Sequence, residues 1–191
     1  MTDSEPRERG GKRERLVASA ADLLHRQGVP ATTLARVAEV ADVPVGNVYY
    51  YFKTKDDLIR AVIDARTSEA RGMLAAVEGR RTPRARLKAL AGGWVDMREL
   101  IARHGCPIGT LCTELDRRAD GLDRAAAQLV GLILDWAEDQ FRQLGVRKPR
   151  DHAVSFFAGI QGAALLANTL RDPEIMTAEV RRIEQWIDAA S

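Results

Sequence analysis

The sequence predicts an all-α fold: a small three-helix unit near the N-terminus, then a larger helical bundle, about nine helices in all. Three observations carry this expectation. Apolar residues recur at helical spacing through long stretches, glycine and proline punctuate those stretches, and no strand-like alternation survives inspection beyond Phe52.

The first helix is expected over residues 13–27, with Leu16, Ala20, Leu23, Leu24 and Gln27 on one face and Gly28 as its stop signal. Leu34, Val37, Ala38 and Ala41 then recur at i, i+3, i+4 and i+7, the inward face of a short second helix that Thr32 or Thr33 can cap. The pattern breaks at Asp42 and resumes at Val43. A third short helix follows through Val45 to Phe52, with Val48 and Phe52 spaced to face the second. Two short helices joined by a turn of about four residues make a helix-turn-helix, here over residues 33–52.

The outward face of the third helix is unusual in composition. Val45, Gly46, Asn47, Tyr49 and Tyr50 stand where a surface helix ordinarily carries Glu, Lys and Arg. Gly46 costs roughly 1 kcal/mol of helix stability relative to alanine, a loss that close backbone approach to another surface would explain. Small residues let a helix sit deep in a major groove, Asn pairs with adenine edges, and tyrosine hydroxyls reach phosphates. Lys53 and Lys55 flank Thr54, the cap of a fourth helix beginning near Asp56, and a lysine beside a helix N-terminus suits phosphate.

Further helical patterns cover residues 56–80, 83–104, 110–119, 122–144, 151–171 and 173–189. Pro83, Gly105 with Pro107, Gly121, Gly145 with Pro149, and Pro173 separate them. The expected organisation is therefore a disordered arm over 1–12, a DNA-binding unit over 13–55, and a regulatory and dimerisation unit over 56–191. Arg7, Arg9, Lys12 and Arg13 would let the arm reach a minor groove, or it is a solvated tail.

The composition is that of a globular protein, 46% hydrophobic and 29% charged, with a net charge of only +2. Residues 1–60 and the remainder each carry +1, so bulk charge argues neither for nor against nucleic acid. Any attraction to DNA must come from local placement of Arg13, Arg36, Lys53 and Lys55 and from helix ends. No apolar run approaches the ~20 residues that span a bilayer, and the start has no signal-peptide core, so a cytoplasmic protein without a membrane partner is expected. Two cysteines in such a chain are expected to be free thiols.

Residues 13–65, RERLVASAADLLHRQGVPATTLARVAEVADVPVGNVYYYFKTKDDLIRAVIDA, resemble the DNA-binding domain of the TetR/AcrR family of bacterial transcriptional repressors. The resemblance implies that Thr33 and Arg36 touch the DNA backbone or a groove edge. It implies that Val45, Gly46, Asn47 and Tyr50 face bases or nearby phosphates, and that Tyr49, Lys53 and Lys55 hold phosphates. Two positions depart from the family pattern. Asp42 stands where glycine is common in the turn, and aspartate tolerates a left-handed conformation better than most residues. Pro44 stands where Ser or Thr usually opens the recognition helix, a lost cap of ~1 kcal/mol partly offset by proline's fit to a first helical turn. Val45, where many relatives carry a basic residue, leaves the operator sequence open.

The stretch DHAVSFFAGIQGAALLANTLRD is apolar or neutral around most of its circumference and must be covered on two sides. One side fits its own subunit and the other a second copy. The last two helices, through Phe157, Ile160, Gln161, Ala164, Ile183, Trp186 and Ile187, are thus expected to pair as a four-helix bundle in a two-fold homodimer. The family resemblance implies the same, and a dimer sets two recognition helices against half-sites about one turn apart.

The family resemblance also implies an inducer pocket in the bundle. Trp94, Met97, Ile101, Cys106, Ile108, Leu111, Trp136, Phe141 and Phe156 are the candidate lining, suited to a small hydrophobic or aromatic effector. The expectation is a ligand-responsive homodimeric repressor on a palindromic operator, with helix 4 carrying the coupling. Two alternatives stay open: an effector-independent, DNA-organising or partner-recruiting dimer, and a sensor using Cys106, whose thiol lies near Arg103 and His104. His104, Cys106 and Cys112 lack zinc-site spacing, so no metal and no cofactor are expected. No Walker loop, dinucleotide glycine pattern, nucleophile elbow or HExxH is present, so no enzyme is expected, and the acidic cluster Asp135, Glu138 and Asp139 reads as a solvated face.

Overall fold

The computed structural model describes residues 11–118 and 120–190. The described residues are helical, with no strand among them, in the order α1 (Lys12–Ala31), α2 (Leu34–Val40), α3 (Val45–Tyr51), α4 (Lys55–Glu78), α5 (Pro83–Asp96), α6 (Arg98–His104), α7 (Pro107–Leu115), α8 (Leu122–Gln143), α9 (Pro149–Leu170) and α10 (Glu174–Ala189). The expected helix over 83–104 bends at Met97 (φ −97°, ψ 7°) into α5 and α6. Counted as one bent helix, the total is nine.

Local chemistry explains the boundaries. Gly28 takes φ +81° and breaks α1 before a last short turn. The Thr33 hydroxyl accepts the Arg36 N–H at 3.2 Å and caps α2, whereas Thr32 donates back to the Gly28 carbonyl. Asp42 adopts φ +52°, the left-handed turn conformation for which aspartate suits. Pro44 opens α3 without a side-chain cap. Thr54 and Asp57 form a reciprocal capping box at the start of α4. The expected arm lies outside the described residues, Arg7 and Arg9 included, but Lys12 and Arg13 already belong to α1, and the Arg13 guanidinium lies over the Phe52 ring.

Two apolar cores form. The first joins α1 to α3 and the start of α4, through Leu16, Val37, Val48, Phe52 and Ile59, and it takes in Leu111, Leu115, Leu122 and Ala126 from α7 and α8. The second fills the bundle with Trp94, Phe141, Phe156, Ile160, Met176 and Ile187 among others. The N-terminal unit therefore does not end at Lys55 in packing terms: its core continues to Ile63 and is closed from outside by α7.

The helix α9 packs against α8, α10 and α6. Contrary to the expectation that no run comes near membrane-spanning length, it is 22 residues long with a window of mean hydropathy 1.4, sufficient by length and composition. Seven of its side chains lie in the bundle core, the use to which this fold puts that apolarity.

Candidate nucleic-acid interface and regulatory cavity

The inward faces of α2 and α3 are buried through Val37, Ala38, Ala41, Val43, Val48 and Phe52, which fixes what α3 turns outward. Val45, Gly46, Tyr49, Tyr50 and Tyr51 are exposed and Asn47 is half-buried. Of the large side chains Tyr50 is the most open, at 75%. A Cβ built on Gly46 meets nothing within 4 Å, so no contact inside the protein demands glycine there. Tyr51, packed edge-to-face on Tyr50 at 5.1 Å, was not among the sequence candidates. Its signal was available, because it lies one turn after Asn47 in the same helix.

The basic candidates divide. Arg36 pairs with Glu39 at 2.7 Å on the exposed side of α2. Lys53 is exposed and donates to the Tyr49 carbonyl at 2.9 Å, which parks its ammonium beside the α3 face. Lys55 differs from its expected role. Its ammonium donates to the Val29 carbonyl at the end of α1, and partial burial, with Arg118 adding, lowers it below the ordinary lysine range. Lys55 therefore ties α4 to α1 before it can serve a phosphate.

A set of polar contacts joins this unit to the bundle, and sequence reading found none of it. The His25 Nε2 donates to the Gly105 carbonyl at 2.8 Å. The Val29 N–H donates to the Glu114 carboxylate, which also lies where a Cβ on Gly28 would stand. Arg118 clasps both Asp56 oxygens at 2.7 and 2.8 Å. Thus the loop before α7, α7 itself and the turn after it hold both α1 and the start of α4.

Burial lowers the His25 pKa, the bond to Gly105 opposes that, and Arg66 and His104 add to the lowering against Asp22. The unfolded chain takes up this proton near pH ~6.5 and the folded chain only at lower pH. The stability present above about pH 6.5 is thus lost progressively as the pH falls from there through the lower folded pKa. In thermal melts between pH 7.5 and 5.5 the wild type should lose more melting temperature than His25→Gln. Equal losses would remove His25 from the account.

The regulatory candidates also divide. Trp94, Met97, Cys106 and Ile108 line one cavity of about 240 Å³, together with Arg66, Glu69, Ala70, Met73 and Pro107. The other five, Phe141 included, lie elsewhere. Ile101 and Phe156 are buried in the bundle core, where Phe156 meets Phe141 edge-to-face. Leu111 faces the N-terminal core, and Trp136 donates to Glu78 at 2.6 Å. Cys106 is buried and accepts a contact from the Gln161 amide at 3.5 Å, while burial pushes the Cys112 thiol up to about 11. Among the described residues no three His, Cys, Asp or Glu side chains gather into a metal site. Asp135 and Glu138 pair with Arg150, and Arg142 pairs with Glu138 and Asp139, as a solvated ion-pair face would.

The dimer candidates face inward more than expected. Phe157, Ile160, Ala164, Ile183 and Ile187 are buried in their own subunit, and Gln161 and Trp186 are half-buried. The apolar residues that α9 leaves exposed are Val154, Leu165, Leu166 and Leu170, with Ala158 and Gly162 between them. Since α9 is apolar nearly all round, periodicity could not say which side the protomer fills.

Residues 16–62 match the profile of the family described as bacterial regulatory proteins, tetR family. An uncharacterised HTH-type transcriptional regulator of Mycobacterium tuberculosis is 30% identical over 176 residues, 85% of this chain and 87% of that protein. The chain belongs to the TetR family. A transcriptional regulator of Cereibacter sphaeroides, AcuR, is 28% identical over 83% of this chain and 77% of its own length. The fold of this TetR-family protein is also that of a TetR transcriptional regulator from Legionella pneumophila. The TM-score is 0.85 at 18% identity, over 93% of this chain and 98% of that one. As a TetR-family member the protein is a DNA-binding transcriptional regulator and not an enzyme.

Proposed function

We propose that the protein is a cytoplasmic homodimeric repressor that binds a palindromic operator through two copies of α3 and is released by a small hydrophobic effector. The observation that carries the reading is the outer face of α3: a bare glycine and exposed phenols on a helix whose other side is locked into a core. In this reading residues 13–55 read DNA and residues 56–191 regulate. Val45, Gly46, Asn47 and Tyr50 meet bases, Tyr49 and Lys53 meet phosphates, and Thr33 and Arg36 approach the backbone from α2. Lys55 acts by positioning α4 against α1.

Dimerisation is proposed through the exposed α9 face, Val154, Leu165, Leu166 and Leu170, with α10 alongside. Contiguous apolar surface of this kind marks an interaction site. The cavity at Trp94, Met97, Cys106 and Ile108 supports an effector-responsive protein over one whose bundle is simply packed. The buried Cys106 and the raised Cys112 give thiol sensing less support.

Coupling follows from the contacts. The loop carrying Cys106 and Pro107 lines the cavity, and Gly105, its neighbour, accepts from His25 of α1. An effector that displaces this loop moves the grip on α1 as well as α4, so it selects between spacings of the two reading helices. Footprinting on the intergenic DNA beside the protein's own gene should give two protected half-sites about one helical turn apart. A single protected half-site, or uniform protection along the duplex, would count against a two-fold reader.

A further inference from the structure

The cavity at the α4–α7 junction carries a charge asymmetry that narrows what it accepts. Its walls are Met73, Met97, Trp94, Pro107 and Ile108, which are apolar apart from the indole N–H. The Trp94 indole is buried and its N–H has no hydrogen-bond partner. A buried donor without a partner is costly and calls for an acceptor. Two charged side chains also reach the cavity, Arg66 and Glu69, and they differ in depth: Arg66 is 19% exposed and Glu69 is 61% exposed. Arg66 gives Glu69 one N–H, at 2.8 Å. A guanidinium has five N–H donors in a fork that matches a carboxylate, and an exposed i,i+3 pair holds it only weakly.

We propose that the effector is a small organic acid, a carboxylate on one ring or a short branched chain, whose carboxylate displaces Glu69 from Arg66 while its apolar part lies against Met73, Met97 and Ile108. The proposal rests on the effector-responsive reading above. A volume of about 240 Å³ exceeds the ~150 Å³ that accommodates benzene and equals about eight waters of the liquid, which sets the size at one ring with a short arm. An amine of the same shape would meet the partly buried guanidinium, with only the solvent-screened Glu69 to offset it. Arg66 also lines the small junction cavity together with His25, Thr110 and Glu114. A carboxylate that draws the guanidinium away from that junction acts beside the His25–Gly105 bond that ties α1 to the bundle.

The test uses the full-length protein with three isosteric sets: benzoate, phenylacetate and cinnamate, each with its amide and its amine. Calorimetry gives affinity and gel shift gives operator release. The expected result is that an acid binds and its amide and amine bind on the order of 10–100-fold more weakly, the range of a charge-assisted hydrogen-bonded pair. Arg66→Gln should abolish that preference while a neutral amide binds as before. Glu69→Gln should tighten the acid by freeing Arg66, a gain that damaged folding cannot produce. Amides or amines that bind as well as acids, or none of the nine binding at millimolar concentration, would overturn the acid assignment. An amide or amine that releases the operator overturns the assignment and leaves effector control standing. An acid that binds through Arg66 and leaves operator affinity unchanged keeps the acid-binding site but overturns its role as the effector and, with it, effector control through this cavity.

Discussion

Replacing Gly46 with glutamate should leave the protein folded and lower operator affinity on the order of 100-fold, as forcing like charges together costs several kcal/mol. The site is open, since a Cβ there meets nothing within 4 Å. Glutamate is a better helix former than glycine by roughly 0.5–1 kcal/mol, and a carboxylate in the first turn of α3 sits favourably against the helix dipole. The melting temperature should therefore hold or rise. If α3 lies in a major groove, the same carboxylate meets the phosphate field where the backbone comes closest to DNA. Opposite signs for stability and binding separate this outcome from misfolding. Gly46→Ala is the milder companion: it gains the helix stability, and any loss of affinity measures how close the backbone approaches. Thermal melts and gel shifts on one preparation check both, and unchanged affinity in Gly46→Glu would move the reading face off α3.

The double substitution Leu165→Arg and Leu170→Arg should split the dimer and weaken operator binding about 100-fold or more, because the second half-site would no longer be reached as an intramolecular event. Both leucines are open in the protomer, at 67% and 63%. Replacing exposed side chains there usually costs a protomer no more than ~0.5 kcal/mol, so each chain should stay folded. In a dimer each leucine would bury about 1.5–3 kcal/mol of apolar surface, and four guanidinium groups would instead face one another. Sedimentation should show single chains with unchanged helical content. A variant that still sediments as a dimer would place the interface elsewhere on the bundle.

How much was legible follows from which features are local. Asp42 in the turn, Gly28 as a stop, and caps at Thr33 and Thr54 depend on neighbours within four residues, so the sequence exposed them and the fold agrees. The face of α3 was readable because its composition departs from a solvated helix. The contacts of Lys55 with Val29, Glu114 with Val29 and His25 with Gly105 span 26, 85 and 80 residues, and nothing in local pattern announces them. Phe157 and Ile160 were assigned to a partner because α9 is apolar nearly all round, a case in which periodicity carries no direction. Arg66 went unnoticed because a single arginine on a charged helix looks like any other until its depth in the cavity is known.

The most direct measurement is the salt dependence of operator binding, wild type against Tyr49→Ala with Lys53→Ala. The logarithm of the binding constant should fall steeply with the logarithm of salt concentration, and the double variant should bind more weakly with a slope shallower by about 1 or more, one unit for each lost phosphate cation. Weak binding with the same slope in both proteins would contradict the account, because the α3 face would then not be where the phosphates are held.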